Sequence, residues 1–264
     1  MPETDSSIDA YAPKQIAGRV ENAGIAKANM GLIPTLMLAI LAGAFIAFGG
    51  AFYTLVITDS GLGFGPTKML GGLAFSTGLI MVIVGGAELY TGNNLLAMAW
   101  ADRKVTSLQL ARNGILVFLG NFIGAIGTAV LVGLSGTLDA NHGGVAATAV
   151  SIAEAKIALS PSEAFFRGIL CNVMVCLAVW LCFSARTVIG KVAAIIFPVS
   201  AFVALGFEHS VANMYLIPIG YLAGSEHVTL GAFFYNLIPV TIGNTIGGGG
   251  FVALVYWVIY LRKA

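Results

Sequence analysis

Long stretches of this chain contain no Asp, Glu, Lys or Arg, and this feature limits its fold more than any other. The charge-free stretches are 28–58, 69–87, 89–101, 113–138, 168–185, 192–207, 209–225 and 227–261. A helix needs about 20 apolar residues to cross a bilayer. Hydrophobic residues make up 58% of the sequence and charged residues only 9%, whereas about a quarter of positions are charged in soluble domains. The chain is therefore predicted to be an integral membrane protein.

Two pairs of these stretches are separated by a single carboxylate, Glu88 in the first pair and Glu208 in the second. We join each pair into one span that is broken at the carboxylate. The six predicted spans are about 30–57, 66–101, 110–136, 164–185, 190–223 and 230–260. Because the first 27 residues are polar and mixed in charge, they do not resemble a cleavable signal peptide. The first span is therefore expected to act as the insertion signal.

The positions of Lys and Arg predict the orientation, because cytoplasmic loops are enriched in both residues. One side carries Lys14, Arg19, Lys27, Arg103, Lys104, Arg112, Arg186, Lys191, Arg262 and Lys263. The other side carries Lys68, Lys156 and Arg167. This asymmetry predicts a multi-pass protein of the cell (cytoplasmic) membrane with both termini in the cytoplasm.

The chain divides into a short tail and one membrane domain. Residues 1–29 are the predicted cytoplasmic tail, in which 8–28 forms either an interfacial helix with Pro13 in its first turn or a mobile segment. Residues 30–264 are the predicted pore domain. The longest connection between spans is 137–163, which ends in a Ser-Pro-Ser helix start.

Two sequence patterns recur at nearly the same offset, which indicates an internal duplication. Glu88-Leu-Tyr-Thr-Gly-Asn93 and Glu208-His-Ser-Val-Ala-Asn213 are 120 residues apart. Gly120-Asn-Phe-Ile-Gly124 and Gly243-Asn-Thr-Ile-Gly247 are 123 residues apart. Each unit contains three spans, an odd number, so the second copy enters the membrane inverted. The predicted repeats are about 30–136 and 164–260. Inverted repeats with broken helices are typical of pores and transporters.

The carboxylates Glu88 and Glu208 are costly inside a bilayer, at roughly 2.5–3.5 kcal/mol each on insertion scales. A functional role in contacting cargo is one interpretation. Because both recur at equivalent positions, we favour a structural role in which each carboxylate accepts backbone N–H groups of the broken segment. Asn93 and Asn213 are the polar partners of the same breaks.

His209 has no counterpart in the first repeat, where Leu89 occupies the aligned position. An imidazole with an ordinary pKa near 6.5 can change charge at physiological pH. His209 is therefore predicted to be a proton donor or an anion partner, and the alternative is a buried histidine satisfied by a neighbour. The Thr91 hydroxyl is expected to face His209 across the pseudo-twofold axis, and Asn172 offers a further neutral hydrogen-bonding group.

Apolar residues near the breaks are candidates for constrictions, with ordinary helix packing as the alternative. These candidates are Phe75, Leu79, Val175 and Phe202. Lys156, near the start of the fourth span, is interpreted either as a cation that concentrates small anions or as a surface lysine.

Other classes of function fit less well. The net charge of +1 gives no reason to expect nucleic-acid binding. Three cysteines in one apolar run are interpreted as packing residues: Cys171, Cys176 and Cys182. A membrane enzyme using Glu88, Glu208 and His209 would need zinc-ligand spacing or a Ser–His–Asp set, and neither pattern is present. No metal or cofactor is predicted. A pore for water, glycerol or ammonium is a third possibility, although the Asn-Pro-Ala pair of aquaporins is absent.

The chain resembles the formate/nitrite transporter family over nearly its whole length, and four motifs carry the resemblance. They are Gly85-Gly-Ala-Glu-Leu-Tyr-Thr-Gly92, Cys171-Asn-Val-Met-Val-Cys-Leu-Ala-Val-Trp180, Gly206-Phe-Glu-His-Ser-Val-Ala-Asn-Met214 and Asn236-Leu-Ile-Pro-Val-Thr-Ile-Gly-Asn-Thr-Ile-Gly-Gly248. The resemblance implies an all-α, aquaporin-like protomer in a homopentamer, with one pore per protomer. It implies a small monocarboxylate, most simply formate, as cargo, and nitrite or hydrosulfide as the alternative within the family.

The same resemblance implies roles for individual residues. His209 becomes the central histidine, Thr91 its partner on the loop that breaks the second span, and Lys156 the lysine of the outer vestibule. The implied lining of two narrow slits is Phe75, Leu79, Leu89, Tyr90, Val175 and Phe202. Tyr90 stands where the family leads us to expect phenylalanine. The working hypothesis is that Lys156 attracts an anion, His209 lends or relays a proton to it, and the neutral acid then passes the slits.

Overall fold

The computed structural model describes residues 10–262, and every regular element within that range is helical. Residues 1–9 of the predicted tail and Lys263 of the charge count lie outside it. In chain order the α-helices are α1 Pro13–Ala28, α2 Leu32–Ile57, α3 Phe64–Gly85, α4 Tyr90–Asn93, α5 Ala97–Ala101, α6 Ser107–Leu134, α7 Gly144–Ile157, α8 Pro161–Ser184, α9 Val188–Ala204, α10 Ser210–Leu222, α11 Leu230–Thr245 and α12 Val255–Tyr260. A π-helix, Ile246–Leu254, joins α11 to α12.

The described chain crosses the membrane six times. Five continuous helical stretches are long and apolar enough to span a bilayer: α2, α3, α6, α8 and Leu230–Tyr260. The remaining span, the fifth, consists of the two shorter apolar helices α9 and α10. It is broken at residues 205–209. The second span is broken at residues 86–89, between α3 and the short helices α4 and α5 that follow it. The predicted all-α architecture, an inverted repeat of three plus three spans with these two breaks, is confirmed.

Glycines at the two breaks adopt a backbone conformation that side chains disfavour. Gly86 has a φ of 80° and Gly206 a φ of 70°. In this left-handed region a Cβ atom clashes with the backbone, so glycine is the usual residue where a helix stops and the chain turns. The positions at which α3 and α9 end are therefore set locally by the sequence.

The first and third helices of each repeat approach until their backbones touch. A Cβ atom on Gly124 of α6 would overlap the Ile40 carbonyl of α2, and one on Gly243 of α11 would overlap the Phe165 carbonyl of α8. Small residues permit this close approach within a membrane, where packing replaces the hydrophobic effect as the force between helices. The glycines of the repeated Gly-Asn-x-Ile-Gly pattern are thus contact points in both halves.

A matched pair of substitutions in α6 tests this contact. We expect Gly124→Ala to lower the free energy of unfolding by about 1–3 kcal/mol, the usual cost of overpacking. Gly127→Ala is the control, because nothing lies within 4 Å of a Cβ there. Thermal unfolding in detergent should show a lower midpoint for the first variant only. Equal midpoints would contradict the contact.

Helix α1 is tied to the loop that follows α5. The Lys104 ammonium lies 2.6 Å from Glu21 Oε2 and 3.1 Å from Asp102 Oδ2. The Trp257 indole N–H donates to Asp102 Oδ1 at 3.1 Å. This hydrogen bond and the neighbouring ammonium lower the pKa of the Asp102 carboxyl. The loop after α5 therefore links α1 to α12.

Helix α7 lies within the connection 137–163, where the sequence analysis identified no helix before Ser160. It packs along α10, since a Cβ atom on Gly220 would overlap the Ala153 methyl group. Thr148 of α7 also accepts a hydrogen bond of 3.0 Å from the Thr58 hydroxyl, directly after α2. Helix α1 precedes α2, and α7 packs beside the C-terminal end of α2. We therefore call the two faces of the molecule the α1 side and the α7 side.

Candidate functional site

The first break is held open by the side chain of Asn121 in α6. Its amide nitrogen donates to the carbonyl oxygens of Glu88 at 2.9 Å and Ala39 at 2.7 Å. Its amide oxygen accepts the backbone N–H of Tyr90 at 2.8 Å. One buried carboxamide therefore satisfies the Glu88 carbonyl and the Tyr90 N–H, which the interruption of the second span leaves without helical partners, and it ties the break to α2.

Asn244 of α11 does the same for the second break. Its amide nitrogen donates to the carbonyls of Glu208 at 2.9 Å and Gly168 at 2.8 Å. Its oxygen accepts the N–H of Ser210 at 2.9 Å. The recurring Gly-Asn pattern indicated duplication, but this role of its asparagines was not predicted. The available signal was a pair of asparagines recurring within long apolar spans.

The carboxylate of Glu88 is buried in a polar cluster on the α1 side. It accepts hydrogen bonds from Lys27 Nζ at 2.8 Å and Asn93 Nδ2 at 2.7 Å. Asn93 also donates to Asn113 Oδ1 at 3.0 Å. The Lys27 ammonium compensates the charge of the carboxylate, and the asparagines satisfy the remaining polar atoms of the cluster.

Glu208 forms the equivalent cluster on the α7 side. Its carboxylate accepts from Lys156 Nζ and Asn213 Nδ2, at 2.8 and 2.7 Å. Asn213 donates in turn to Asn236 Oδ1 at 2.7 Å. Lys156 is therefore a partner of a buried carboxylate, with a side chain only 13% exposed, and its interpretation as a surface lysine is wrong.

The expected donors to the two carboxylates also need correction. Glu88 and Glu208 were predicted to accept backbone N–H groups of the broken segments. In the described chain the donors recorded for both carboxylates are lysine and asparagine side chains. The backbone groups of the breaks are bound by Asn121 and Asn244 instead. Lys27, Asn113 and Asn236 were missed as members of the two clusters because their partners lie many residues away.

The two breaks meet at a hydrogen bond between Thr91 and His209. Thr91 Oγ1 lies 2.9 Å from His209 Nε2, and both side chains are buried. The other ring nitrogen, Nδ1, accepts the backbone N–H of Ala212 at 3.0 Å and so caps the start of α10. This network assigns the proton of a neutral ring to Nε2, with the Thr91 hydroxyl as its acceptor.

The backbone carbonyl of Thr91 is bound from α8. Asn172 Nδ2 donates to it at 3.2 Å and Cys176 Sγ at 3.3 Å. Asn172 Nδ2 also donates to the carbonyl oxygen of Asn244 at 2.7 Å. Asn172 therefore connects Thr91 of the first repeat to the asparagine that holds the second break.

Cavities approach the Thr91–His209 pair from both sides. The α7-side vestibule, about 550 Å³, reaches His209 and is lined by Phe75, Phe202, Lys156 and Glu208 among others. The α1-side vestibule, about 270 Å³, is lined by Leu79, Leu89, Lys27, Glu88 and Lys191 among others. Each vestibule thus combines a lysine–glutamate pair with apolar side chains at its inner end.

Aromatic rings close the α7-side vestibule next to the histidine. The rings of Phe75 and Phe202 meet edge to face with centroids 5.9 Å apart. The Phe202 ring stacks beside the His209 imidazole at 6.1 Å. Val175 is buried in the same apolar cluster as Leu79 and both phenylalanines. Apolar side chains therefore line both vestibules near the single polar pair.

Tyr90, which the resemblance assigns to the lining of a slit, contacts both α6 and α11. Its hydroxyl group is 2.8 Å from Thr245 Oγ1, and its ring packs against Phe118 with centroids 5.1 Å apart. It lines a third cavity of about 500 Å³, between α6 and α11. The extra hydroxyl group of a tyrosine thus binds α11.

Comparisons with known proteins agree with this architecture. A family model described as "Formate/nitrite transporter" matches residues 14–258. The chain is 41% identical to a protein named "Formate channel FocA" from Escherichia coli strain K12, over 99% of this chain and 98% of that one. It is 42% identical to "Uncharacterized transporter YrhG" from Bacillus subtilis, over 95% and 94% of the two chains.

Two solved structures share the fold. One is described as a "Pentameric formate channel with formate bound"; its TM-score is 0.80 at 36% identity, covering 88% of this chain and 98% of that one. The other is described as an "FNT family ion channel", with a TM-score of 0.86 at 27% identity, covering 93% and 98%. These relatives are named as channels and transporters, in contrast to the enzyme alternative.

Proposed function

Because the chain belongs to the formate/nitrite transporter family, we propose that it carries small monovalent anions, formate in particular, across the cell membrane. Support for formate comes from the names of its relatives, and support for a homopentamer from the pentameric neighbour. Support for one pore per protomer comes from the two vestibules that approach the Thr91–His209 pair within a single chain. Residues 30–264 form the pore domain in this proposal. The Lys and Arg distribution supports a cytoplasmic α1 side.

The observation that carries this proposal is the Thr91–His209 pair between two vestibules. Transfer of a free carboxylate into apolar surroundings costs far more than one hydrogen bond returns. Hydrogen bonding at His209 offsets part of this cost, and protonation of the anion removes most of it. The apolar side chains on both sides of the pair then favour passage of the neutral acid.

Lys156 and Lys27 attract the anion to the two vestibules in this proposal. Each ammonium is paired with a glutamate, at 2.8 Å in both cases. Each pair carries no net charge, so its ammonium offers an anion a local hydrogen-bond donor without binding the anion tightly. Weak binding of this kind suits a pore, since a bound ion must also leave.

The hydrogen bonds of His209 restrict how a proton reaches the anion. A neutral ring has its proton on Nε2, and loss of that proton would create an unfavourable imidazolate. A proton can be lent only from a ring protonated at both nitrogens, and Nδ1 must then give up the N–H of Ala212. The anion therefore first replaces Thr91 as the acceptor of Nε2–H. When the ring turns away from Ala212, Nδ1 takes a proton from water in the vestibule, the Nε2 proton passes to the anion, and the neutral acid leaves a neutral ring behind.

The energetic scale of the transfer is modest. A small carboxylic acid has a pKa of about 3.5–4 in water and histidine about 6.5, so transfer in water is uphill by roughly 4 kcal/mol. Removal of water around both groups disfavours the charged pair of imidazolium and carboxylate relative to two neutral molecules. The dry surroundings of Phe75 and Phe202 thus lower the cost of the transfer.

Uptake of labelled formate into proteoliposomes tests the proposal. Wild-type uptake should rise from pH 8 to pH 5, because protonation assists passage. His209→Asn keeps an acceptor that can cap Ala212 N–H but removes the titratable ring. We expect its uptake at pH 5 to fall about 10- to 100-fold, the value of one hydrogen bond to a charged group, and its pH dependence to flatten.

Competition by unlabelled formate, nitrite, hydrosulfide and lactate against labelled formate in the same assay defines the preferred cargo. Unlabelled formate should lower the uptake of labelled formate most strongly. Absence of formate uptake by the wild-type protein would refute the proposed cargo. A His209→Asn variant with the pH dependence of the wild type would refute the proton role alone.

A further inference from the structure

The last span changes its helical geometry at a run of four glycines. Residues Ile246–Leu254 wind as a π-helix between α11 and α12. The glycines Gly247 to Gly250 all lie within it. π-Helical turns are rare in proteins and often occur at functional sites, since the wider turn shifts backbone groups and side chains relative to an α-helix.

Within this run, Gly248 lies against Asn172 and Cys176, the two side chains that bind the Thr91 carbonyl. A Cβ atom on Gly248 would overlap Asn172 Nδ2 and lie 2.7 Å from Cys176 Sγ. Both contacts are far inside the van der Waals limit. Gly250 is different, because the nearest atom to a Cβ there would be Ile246 Cγ2 at 3.9 Å.

The two side chains next to Gly248 are the donors to the Thr91 carbonyl, Asn172 at 3.2 Å and Cys176 at 3.3 Å. Asn172 also binds the carbonyl of Asn244, shortly before the π-helix begins. A change of hydrogen-bond spacing from four to five residues leaves a carbonyl near the boundary able to accept a side-chain donor. The absence of a side chain at Gly248 and the change of helix type therefore both favour this arrangement of Asn172.

We infer that Gly248 and the π-helical turn position Thr91 against His209, and that they set the rate and pH dependence of anion passage by doing so. Gly248 gives Asn172 and Cys176 the space to hold the Thr91 carbonyl. The bonds to this carbonyl hold the backbone of the first break in place. The backbone in turn orients the Thr91 hydroxyl group toward the His209 imidazole. Gly248 is thus a positioning residue that touches no cargo. This inference deepens the proposed function and rests on it.

Labelled formate uptake between pH 5 and pH 8 tests the inference with Gly248→Ala and its matched control Gly250→Ala. Both variants add one methyl group to the same glycine run, and only the first displaces Asn172 and Cys176. We expect Gly248→Ala to lower initial uptake about tenfold or more, the scale of a small misplacement at a working site, and to flatten its pH profile. Gly250→Ala should match the wild type in both respects.

A second pair of variants adds no bulk and so covers the case in which Gly248→Ala fails to fold. Cys176→Ala removes one donor to the Thr91 carbonyl, whereas Cys176→Ser keeps a donor. We expect uptake by Cys176→Ala to fall about two- to tenfold, the value of one neutral hydrogen bond, with a shifted pH profile. Cys176→Ser should recover most of the loss.

The outcomes separate the inference from the proposed function. If the wild-type protein takes up no formate, the proposed function fails and the inference fails with it. If wild-type uptake is normal and Gly248→Ala equals Gly250→Ala, the inference alone is wrong. Reduced uptake with an unchanged pH profile, in Gly248→Ala or in Cys176→Ala, indicates a purely structural role and also overturns the inference.

Discussion

Asn244→Leu is expected to lower the free energy of unfolding by at least about 3 kcal/mol and to abolish anion uptake. Leucine has a similar volume but leaves the N–H of Ser210 and the carbonyls of Glu208 and Gly168 without their present partner. Each buried polar group left unsatisfied costs about 1–3 kcal/mol. The thermal unfolding midpoint in detergent measures the loss of stability, and formate uptake into proteoliposomes measures the loss of function.

Thr245→Val is the matched control for Asn244→Leu. Thr245 is the next residue of the same helix, and its exposed hydroxyl group binds Tyr90 and the Thr241 carbonyl. Loss of these bonds should cost about 1 kcal/mol and preserve uptake. If both variants unfold at the same temperature, Asn244 does not hold the second break in the way that its hydrogen bonds indicate.

Lys156→Met is the second substitution with a large expected effect. It leaves the carboxylate of Glu208 buried without its 2.8 Å cation, and breaking a buried ion pair from one side costs about 3–5 kcal/mol. The double variant Lys156→Met/Glu208→Gln should recover most of this stability, because the uncompensated charge is gone. Thermal unfolding midpoints of the two variants and the wild type provide the measurement.

The first repeat supplies an internal comparison for this experiment. Lys27 pairs with Glu88 at the same distance, but its side chain is 29% exposed against 13% for Lys156. The two glutamate side chains are equally buried, at 5% exposed. Water reaches the position of the Lys27 ammonium more easily and can replace it beside Glu88, so Lys27→Met should cost less than Lys156→Met. An equal or reversed order, or a double variant as unstable as Lys156→Met, would contradict the role of burial.

The sequence was informative wherever the cause of a feature is local. Each span is a continuous apolar run, and each break contains a carboxylate in the middle of such a run, so both were predictable from composition along the chain. The duplication was visible because the same polar residues recur at a fixed offset. His209 and Thr91 stood out by the same comparison, since they differ from Leu89 and Val211 at the aligned positions.

Partner choice was not predictable in the same way. The side-chain donors to Glu88 and Glu208 include lysines 61 and 52 residues away along the chain, and a pairing over such distances depends on how the helices pack. The sequence analysis counted Lys27 only as a positive charge for orientation. Asn121 and Asn244 appeared only as members of a repeated pattern.

By itself, the sequence determined that this is a membrane protein of six spans in two inverted halves, with polar breaks in the second and fifth. These features depend on hydrophobicity, helix length and the conformational freedom of glycine. All three are local properties, so they can be predicted from the order of residues along the chain. Only the tertiary structure decided that the asparagines clamp the breaks, that lysines from distant segments neutralise the glutamates, and that Tyr90 turns toward α11. Those choices depend on distances between helices, which arise only when the two repeats are packed together.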